Sequence, residues 1–255
     1  ITHKLLSMLQ NFESIVLIWL GIGFITFITL LKIPAPYGKF SKTNWGPMIS
    51  SKLGWIVMEI ISPLALLYFF LNGNIEKTPT NITFISLWTL HYFNRSVIYP
   101  LRQNNPAQMP LLIAVLAFLF NVMNGYINGT YFGSIQEYSA EYMSNWNFIV
   151  GVCLFIIGAY INIKSDNILL SLRSKSGEYK IPEGFMFKYV SFPNYLGEIL
   201  EWMAFALMTW SLAGLSFMIW TMANLVPRAI KGHQWYHKKF ESYPKDRKAI
   251  FPFII

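Results

Sequence analysis

Six runs of apolar residues divide the chain, and most of them have the length that crosses a lipid bilayer. About 20 helical residues span the roughly 30 Å of hydrocarbon in a membrane. The last run is longer than one crossing needs, and TWSLAG at Thr209–Gly214 predicts a break inside it. We therefore predict seven crossings from the runs at Ile15–Leu31, Leu53–Leu71, Ile82–Leu101, Met109–Ile127, Phe148–Ile163 and Tyr195–Val226.

Composition agrees with an integral membrane protein. Hydrophobic residues make up 54% of the chain and charged residues only 13%, whereas roughly a quarter of the residues in a soluble domain are charged. We predict an all-α bundle that forms a single domain over residues 1–255, without a soluble module. The opening residues lack a basic segment and a small-residue cleavage site, so the first run is predicted to be a retained helix.

The basic residues predict the orientation of the bundle, because cytoplasmic loops are enriched in Lys and Arg. Seven crossings gather nearly all basic residues on one face, whereas six crossings distribute them almost evenly. The N-terminus is then outside and the C-terminal tail cytoplasmic, in either a bacterial inner membrane or an endoplasmic reticulum membrane. The net charge of +8 does not indicate nucleic-acid binding, since no nucleic-acid motif is present and the basic residues lie between apolar runs.

Glu59 is the one acidic residue of GWIVMEIISPLALLYFFL, the run from Gly54 to Leu71. A charge buried there is costly unless the group is neutral, paired or used in chemistry. Other polar residues recur at helical spacing, so that each set shares one helix face. They are Trp88, His91, Tyr92, Arg95 and Tyr99 in the third run, Asn162 and Asp166 at the end of the fifth, and Asn194, Glu198, Glu201 and Trp202 at the start of the sixth. Interhelical hydrogen bonds explain single residues of this kind, but several ionisable groups on facing helices indicate a site or a pathway.

Two classes of function use a polar cavity within a membrane: a transporter that couples ions, and an enzyme with a lipid-soluble substrate. The chain lacks the duplicated halves of many transporters, which favours an enzyme. Its single cysteine, Cys153, excludes a disulfide framework or a cysteine zinc cluster within the chain, and we predict no metal site. A basic cluster could bind an anionic cofactor, or it could reflect only the enrichment of basic residues in cytoplasmic loops. Its members are Arg173, Lys175, Lys180, Arg228, His233, Arg247 and Lys248.

Six ordered fragments from Ala35 to the end of the chain carry a family resemblance. They are APYGKF, VMEIISP, HYFNRSVIYPLR, GAYINIKSDNILLSLR, YKIPEGFMFKYVSFPNYLGEILEW and RAIKGHQWYHKKFESYPKDRKAIFPFII. Together they resemble the steroid 5α-reductases, which implies a seven-helix membrane enzyme that uses NADPH to saturate the Δ4 double bond of 3-oxo steroids. The chain has no G-x-G-x-x-G motif after a strand, and the family holds its dinucleotide within the helix bundle instead.

The resemblance implies that Glu59 and Tyr92 are the catalytic pair. Hydride addition to an enone drives negative charge onto the carbonyl oxygen, so donors are needed there. A tyrosine hydroxyl and a protonated glutamic acid are such donors. Residues 53–101 would form the carbonyl site. Met58 stands where many animal members have Gln, so an amide that could contact the 3-oxo group is missing and the substrate stays open.

The implied NADPH site lies mainly within residues 160–255 and places arginines near the phosphates. Its residues are Arg95, Tyr99, Asn162, Asp166, Arg173, Asn194, Glu198, Trp202, Arg228, His233, Tyr236 and Arg247. The predicted partners are a steroid or sterol-like enone and membrane lipid, without nucleic acid or an obligate protein partner. Alternative enzyme functions are reduction of a polyprenol or an enoyl thioester, and isoprenylcysteine-type methyl transfer.

Overall fold

The structure, a computed structural model, describes residues 2–103, 107–172 and 179–255, with side-chain surroundings from residue 9 onwards. This described part contains seven long helices, and the predicted all-helical fold class is confirmed. They are α1 at Thr2–Lys32, α2 at Ser51–Leu71, α3 at Pro79–Phe93, α4 at Leu111–Thr130, α5 at Trp146–Leu172, α6 at Pro193–Thr209 and α7 at Leu212–Lys239.

Short elements connect these helices. Strands β1 (Met48–Ser50) and β2 (Gln108–Pro110) pair antiparallel, so α2 and α4, which follow them, start side by side. Helix α3 continues through a π-helical segment at Asn94–Ile98 and a last turn at Tyr99–Leu101. A second π-helical segment follows α4 at Tyr131–Ile135, and 3₁₀ turns lie at Gly38–Phe40, Thr43–Trp45, Ala140–Ser144 and Phe185–Lys188.

The last apolar run is divided between α6 and α7. Trp210, which follows α6, adopts the left-handed conformation with φ and ψ both 46°. Ser211 then caps α7, since its hydroxyl accepts a hydrogen bond from the amide of Gly214 at 2.9 Å. The two helices pack against each other, so the chain turns back at this point. The predicted break within Thr209–Gly214 is confirmed.

The outer surface of the bundle is apolar, as expected of a protein in lipid. Large side chains such as Leu17, Phe24 and Ile156 are exposed, whereas the buried set contains many amides and carboxyl groups. Within the described residues, four helical stretches are long and apolar enough to cross a membrane: Leu9–Lys32, Ser51–Leu71, Leu111–Ile135 and Trp146–Leu172. The number of crossings and the orientation of the termini stay predictions.

Glycines allow α5 and α6 to meet backbone to backbone. A Cβ atom at Gly158 would lie 2.7 Å from the carbonyl oxygen of Gly197, where a side chain has no room. Small residues of this kind let membrane helices approach closely. The contact brings Asn162 of α5 to Asn194 of α6, with the Asn162 amide donating to the Asn194 carbonyl at 3.0 Å. The polar faces of the two helices therefore meet inside the bundle.

Candidate active site

Glu59 of α2 and Tyr92 of α3 are brought together by Asn121 of α4. The Tyr92 hydroxyl donates to Asn121 Oδ1 at 3.2 Å, and the Asn121 side chain also hydrogen-bonds Glu59. Both Tyr92 and Asn121 are buried. Sequence reasoning missed Asn121, although a single amide within the apolar stretch LAFLFNVM was the signal that could have found it.

Aromatic side chains surround Tyr92. Its ring stacks on Trp88 with centroids 5.6 Å apart, and Trp202 lies 5.9 Å away. The Trp88 indole donates to the Ser62 hydroxyl at 3.1 Å. Trp202, predicted to bind the cofactor, lies in this aromatic core and contacts Phe217 at 4.5 Å between centroids. The rings hold the phenol in place and keep water away from it.

An ionic network lies beside Glu59 and Tyr92. Arg95 is 3.2 Å from Asp166 of α5 and 3.9 Å from Glu198 of α6, measured between nitrogen and oxygen. Asn194 donates to the second oxygen of Asp166 at 3.0 Å. The structure therefore brings together most of the polar residues predicted on α5 and α6, and it links them to α3 through Arg95.

Arg95 lies in the π-helical segment that follows α3. Such segments often occur at functional sites, because the extra residue in the turn changes where side chains point. The Arg95 guanidinium also packs over the rings of Trp55 and Tyr99, at 5.1 and 5.3 Å from their centroids. Its charge interacts with Glu59 as well as with Glu198. Arg95 thus joins the predicted carbonyl site to the predicted cofactor site.

His91 and Glu201 form a second buried pair that the predicted site did not include. The Nδ1 atom of His91 lies 2.8 Å from Glu201 Oε2, and the two side chains are 4% and 2% exposed. The His91 ring also contacts Trp202, with centroids 4.7 Å apart. Sequence analysis noted both residues as polar groups within the membrane, which was the available signal.

Arg228 of α7 lies against the loop that follows α1. Its Nε donates to the Tyr195 hydroxyl at 2.8 Å, and its guanidinium stacks on the ring of Tyr37 at 3.4 Å. Tyr37 also interacts electrostatically with Glu59 and Arg95, so this loop residue lies between Arg228 and the predicted carbonyl site. Burial raises the pKa of Tyr37 to about 12, and the phenol is therefore neutral.

The C-terminal tail folds back onto the end of α7. Ser191 contacts His233 at 2.6 Å and accepts a hydrogen bond from Tyr243 at 2.7 Å. Arg247 donates to the Tyr243 hydroxyl at 3.3 Å, and the ring of Tyr236 stacks on that of Tyr243 with centroids 5.1 Å apart. His233, Tyr236 and Arg247, all predicted to bind the cofactor, thus form one cluster. Arg173, predicted with them, lies outside the described residues.

Comparison with known proteins shows the family to which the sequence is similar. The protein-family model described as 3-oxo-5-alpha-steroid 4-dehydrogenase matches residues 107–255. The steroid 5-alpha-reductase of Gossypium hirsutum is 44% identical over 238 residues, covering 90% of this chain and 92% of that protein. The 3-oxo-5-alpha-steroid 4-dehydrogenase 1 of Rattus norvegicus is 37% identical over 238 residues, or 91% of each chain. The human counterpart is 34% identical over 238 residues, or 92% of each.

This chain belongs to the 3-oxo-5-alpha-steroid 4-dehydrogenase family. The resemblance found in the sequence is confirmed, and so is its enzyme class, a membrane oxidoreductase of steroid metabolism. The polar residues described above lie on helices, on the loop after α1 and on the folded C-terminal tail.

The basic residues of this family member fit an anionic cofactor. Arg228 Nη1 and Arg247 Nε are buried and have no hydrogen-bond partner among the residues that the structure describes. Buried donors are normally satisfied, and phosphate groups would accept from these guanidinium groups with strong, charge-assisted bonds. Asn194 Oδ1 is a buried acceptor in the same situation. The donor and acceptor set therefore suits a phosphate-bearing dinucleotide with an amide.

Lys39 lies among three aromatic rings at the edge of the Arg228 site. Its Nζ is 4.1 Å from the centroid of Tyr236 and 4.7 Å from those of Phe192 and Trp235. Burial, with a smaller contribution from the charge of Arg228, lowers the pKa of Lys39 to about 7. The ring faces favour the ammonium form and offset part of this cost.

Replacing Lys39 by methionine is expected to stabilise the protein at low pH. The folded-state pKa lies below the ordinary 10.5, so the cost of the buried ammonium is fully present below about pH 7 and shrinks as the pH rises toward 10.5. At about pH 6 we expect Lys39→Met to raise Tm by roughly 2–4 °C, the shift that about 1 kcal/mol gives in a chain of this size. Thermal unfolding in detergent at about pH 6 and about pH 9.5 tests this, because the gain should be smaller at the higher pH. A variant that is less stable at both values would contradict it.

Proposed function

We propose that this chain reduces the Δ4 double bond of 3-oxo-Δ4-steroids to the 5α-reduced 3-oxo-steroids, with NADPH as the reductant. The observation that carries the proposal is the convergence of a carboxyl group, Glu59, and a phenol, Tyr92, on one amide in the bundle. Two donors at one point are what an enone carbonyl needs as it becomes an enolate. The names of the relatives in Gossypium hirsutum and Rattus norvegicus support the substrate class.

Glu59 and Tyr92 have the same task in this reaction. Each donates a hydrogen bond to the 3-oxo oxygen, where negative charge develops, and Glu59 must be protonated to do so. Bound NADPH would supply the hydride for C5 of the enone, and a proton taken up from solvent at C4 would convert the enolate into the saturated ketone. Trp88 and Trp202 keep the Tyr92 ring in position and exclude water, which strengthens both hydrogen bonds.

The cofactor would be held by basic residues of α7 and the tail and by the polar residues joined to Arg95. Among the described residues, Arg228 Nη1 and Arg247 Nε have no hydrogen-bond partner and would donate to phosphates. Arg247, His233 and Tyr236 all contact Tyr243. The amides and carboxyl groups joined to Arg95 are candidates for the ribose and nicotinamide amide: Asn162, Asp166, Asn194 and Glu198. Residues 160–255 therefore supply most of the cofactor site and residues 53–101 most of the carbonyl site, within one domain.

The arrangement in the membrane that we propose has seven crossings, one for each long helix. The N-terminus lies outside and the C-terminal tail is cytoplasmic, since this choice gathers the basic residues on one face. The cofactor site is then open to the cytoplasm, where NADPH is available. A steroid can reach the carbonyl site from the lipid, and no protein partner is required.

Cysteine labelling tests the number of crossings. Two variants are made in a Cys153→Ser background, one with a cysteine appended at the N-terminus and one with a cysteine at the C-terminus. We expect an impermeant thiol reagent to label one variant only from outside sealed vesicles and the other only from inside. The background change is needed because Cys153 is exposed. Labelling of both termini from the same side would contradict seven crossings and indicate an even number.

Incubating the purified full-length chain with NADPH and a panel of enones tests the proposed reaction. We expect the nicotinamide absorbance to fall with 3-oxo-Δ4-steroids and to stay constant with their saturated counterparts. Faster oxidation with a polyprenol or an enoyl thioester would replace the proposed substrate. Transfer of a methyl group from S-adenosylmethionine, without NADPH oxidation, would overturn the proposed reaction.

A further inference from the structure

We propose that Asn121 is a positioning residue that decides which oxygen of Glu59 carries its proton and how the Tyr92 hydroxyl is aimed. The inference rests on the proposed function, since both groups are taken to donate to a steroid carbonyl. Asn121 is 3% exposed and lies on α4, facing α2 on one side and α3 on the other. Its amide is the point where the hydrogen bonds of the two proposed donors meet.

The orientation of the Asn121 amide follows from its neighbour on α2. The Met58 carbonyl can only accept a hydrogen bond, and it lies 2.6 Å from the Asn121 nitrogen, so the amino group must point there. The amide oxygen therefore faces Tyr92, whose hydroxyl donates to it at 3.2 Å. An amide turned the other way would place its oxygen against the Met58 carbonyl, which is repulsive.

The second N–H of Asn121 determines the state of Glu59. An amino group has two protons, and only one is needed for the Met58 carbonyl. The other is donated to Glu59, which is hydrogen-bonded to Asn121. The Glu59 oxygen that faces Asn121 is thus an acceptor. When Glu59 is protonated, its proton then lies on the other oxygen.

A second chain of hydrogen bonds aims the Tyr92 hydroxyl. The Trp88 indole can only donate, and it donates to the Ser62 oxygen at 3.1 Å, so the Ser62 proton is available for Tyr92. The Tyr92 hydroxyl interacts with Ser62 and donates its own proton to Asn121. Because stacking holds the ring, only rotation about the C–O bond is needed to move this proton from Asn121 to a steroid oxygen.

The competing interpretation is that Asn121 only ties α4 to its neighbours. Asn124, one turn further along the same helix, provides the matched control. It accepts a hydrogen bond from the Trp19 indole at 3.1 Å and donates to the Phe120 carbonyl at 2.9 Å. Both residues are buried amides in α4, but the partners of Asn124 lie on α1 and on its own helix. If the Asn121 hydrogen bonds only hold helices together, replacing Asn121 and replacing Asn124 should have similar effects on stability and on turnover.

The first test compares Asn121→Leu with Asn124→Leu in the full-length protein with NADPH. We expect Asn121→Leu to lower kcat by about 10- to 100-fold with a smaller change in KM, since a misplacement of about 1 Å can cost about 10²-fold. Its affinity for NADPH should stay unchanged. Asn124→Leu should lower Tm and leave the turnover of folded protein within about twofold, as expected for a structural hydrogen bond.

The second test is the pH profile of Asn121→Asp. An ionised carboxylate at this position only accepts, so it draws the protons of Glu59 and Tyr92 away from the substrate; a protonated one still donates. Turnover should therefore fall with rising pH in a step that the native protein and Asn124→Asp lack. The pH profile can be measured with a small amount of folded protein. It therefore still tests the inference if Asn121→Leu is too unstable to purify.

Three outcomes are informative. A slow Asn121→Leu variant together with a new pH step in Asn121→Asp supports the inference. A near-native kcat in Asn121→Leu, or a native pH profile in Asn121→Asp, overturns the role of Asn121. If Glu59→Ala is slow in the same assay, the proposed function is still supported. If the native protein reduces no enone, the proposed function fails and the role of Asn121 fails with it.

Discussion

Glu59→Ala is expected to slow single-turnover reduction of a 3-oxo-Δ4-steroid by about 10²- to 10³-fold, because it removes a donor from the developing enolate. Glu59→Gln keeps a donor of similar size but lower acidity, so its rate should lie between those of the alanine variant and the native protein. Tyr92→Phe should resemble Glu59→Ala, since it deletes the partner hydroxyl with little change in shape. The rate is measured by rapid mixing of the steroid with protein already saturated with NADPH.

All three variants should still bind NADPH, because their changed groups contact Asn121 rather than Arg228 or Arg247. Tyr138→Phe is the matched control for the phenol. The buried Tyr138 hydroxyl donates to the Thr209 carbonyl at 2.5 Å, so its loss should lower Tm without changing turnover per folded molecule. If Glu59 only connects helices, Glu59→Ala will behave like this control, with lower stability and a near-native rate.

Arg228→Met and Arg247→Met are expected to weaken NADPH binding by about tenfold or more, because a charge-assisted contact contributes roughly 1.5–3 kcal/mol. Both guanidinium groups keep a buried N–H without a partner among the described residues, which is what a phosphate would accept from. Affinity for the steroid should change less, since the hydrogen bonds at the proposed carbonyl site run through Asn121 and involve neither arginine. Isothermal titration or fluorescence quenching with NADPH gives the affinities.

Lys164→Met controls for the loss of one positive charge. Lys164 is an exposed residue of α5 whose amine hydrogen-bonds the Tyr160 hydroxyl at 2.9 Å and packs over the ring of Phe185. Its replacement should leave NADPH affinity within about twofold at physiological ionic strength, because exposed charges are strongly screened. Equal affinities in the native protein and in both arginine variants would remove these residues from the phosphate site.

Features that depend on local sequence and on the cost of burial in a membrane could be predicted. The segment TWSLAG predicted a break in the last apolar run. In the structure, Trp210 adopts the left-handed conformation there and Ser211 caps the next helix. The facing positions of Glu59, Arg95 and Glu198 also followed from a physical argument, since an ionisable group in an apolar helix needs a partner.

Features that depend on contacts between distant segments could not be predicted. Tyr37 comes from a loop after α1, yet it stacks on Arg228 nearly two hundred residues later. Helical spacing also does not show that α3 passes into a π-helical turn at Arg95, which changes the direction of every side chain after it. Asn121 was missed because a single amide in an apolar helix has the same pattern whether it orients a catalytic group or joins two helices.

The most direct test of the proposed reaction is the fate of the transferred hydrogen. The purified full-length protein is incubated with a 3-oxo-Δ4-steroid and NADPH carrying deuterium at the transferable position, and the product is analysed by mass spectrometry and NMR. We expect one deuterium at C5 on the α face, and a yield in Glu59→Ala lower by about 10²-fold or more at equal cofactor occupancy. Deuterium elsewhere in the product, or an undiminished yield in Glu59→Ala, would contradict the account.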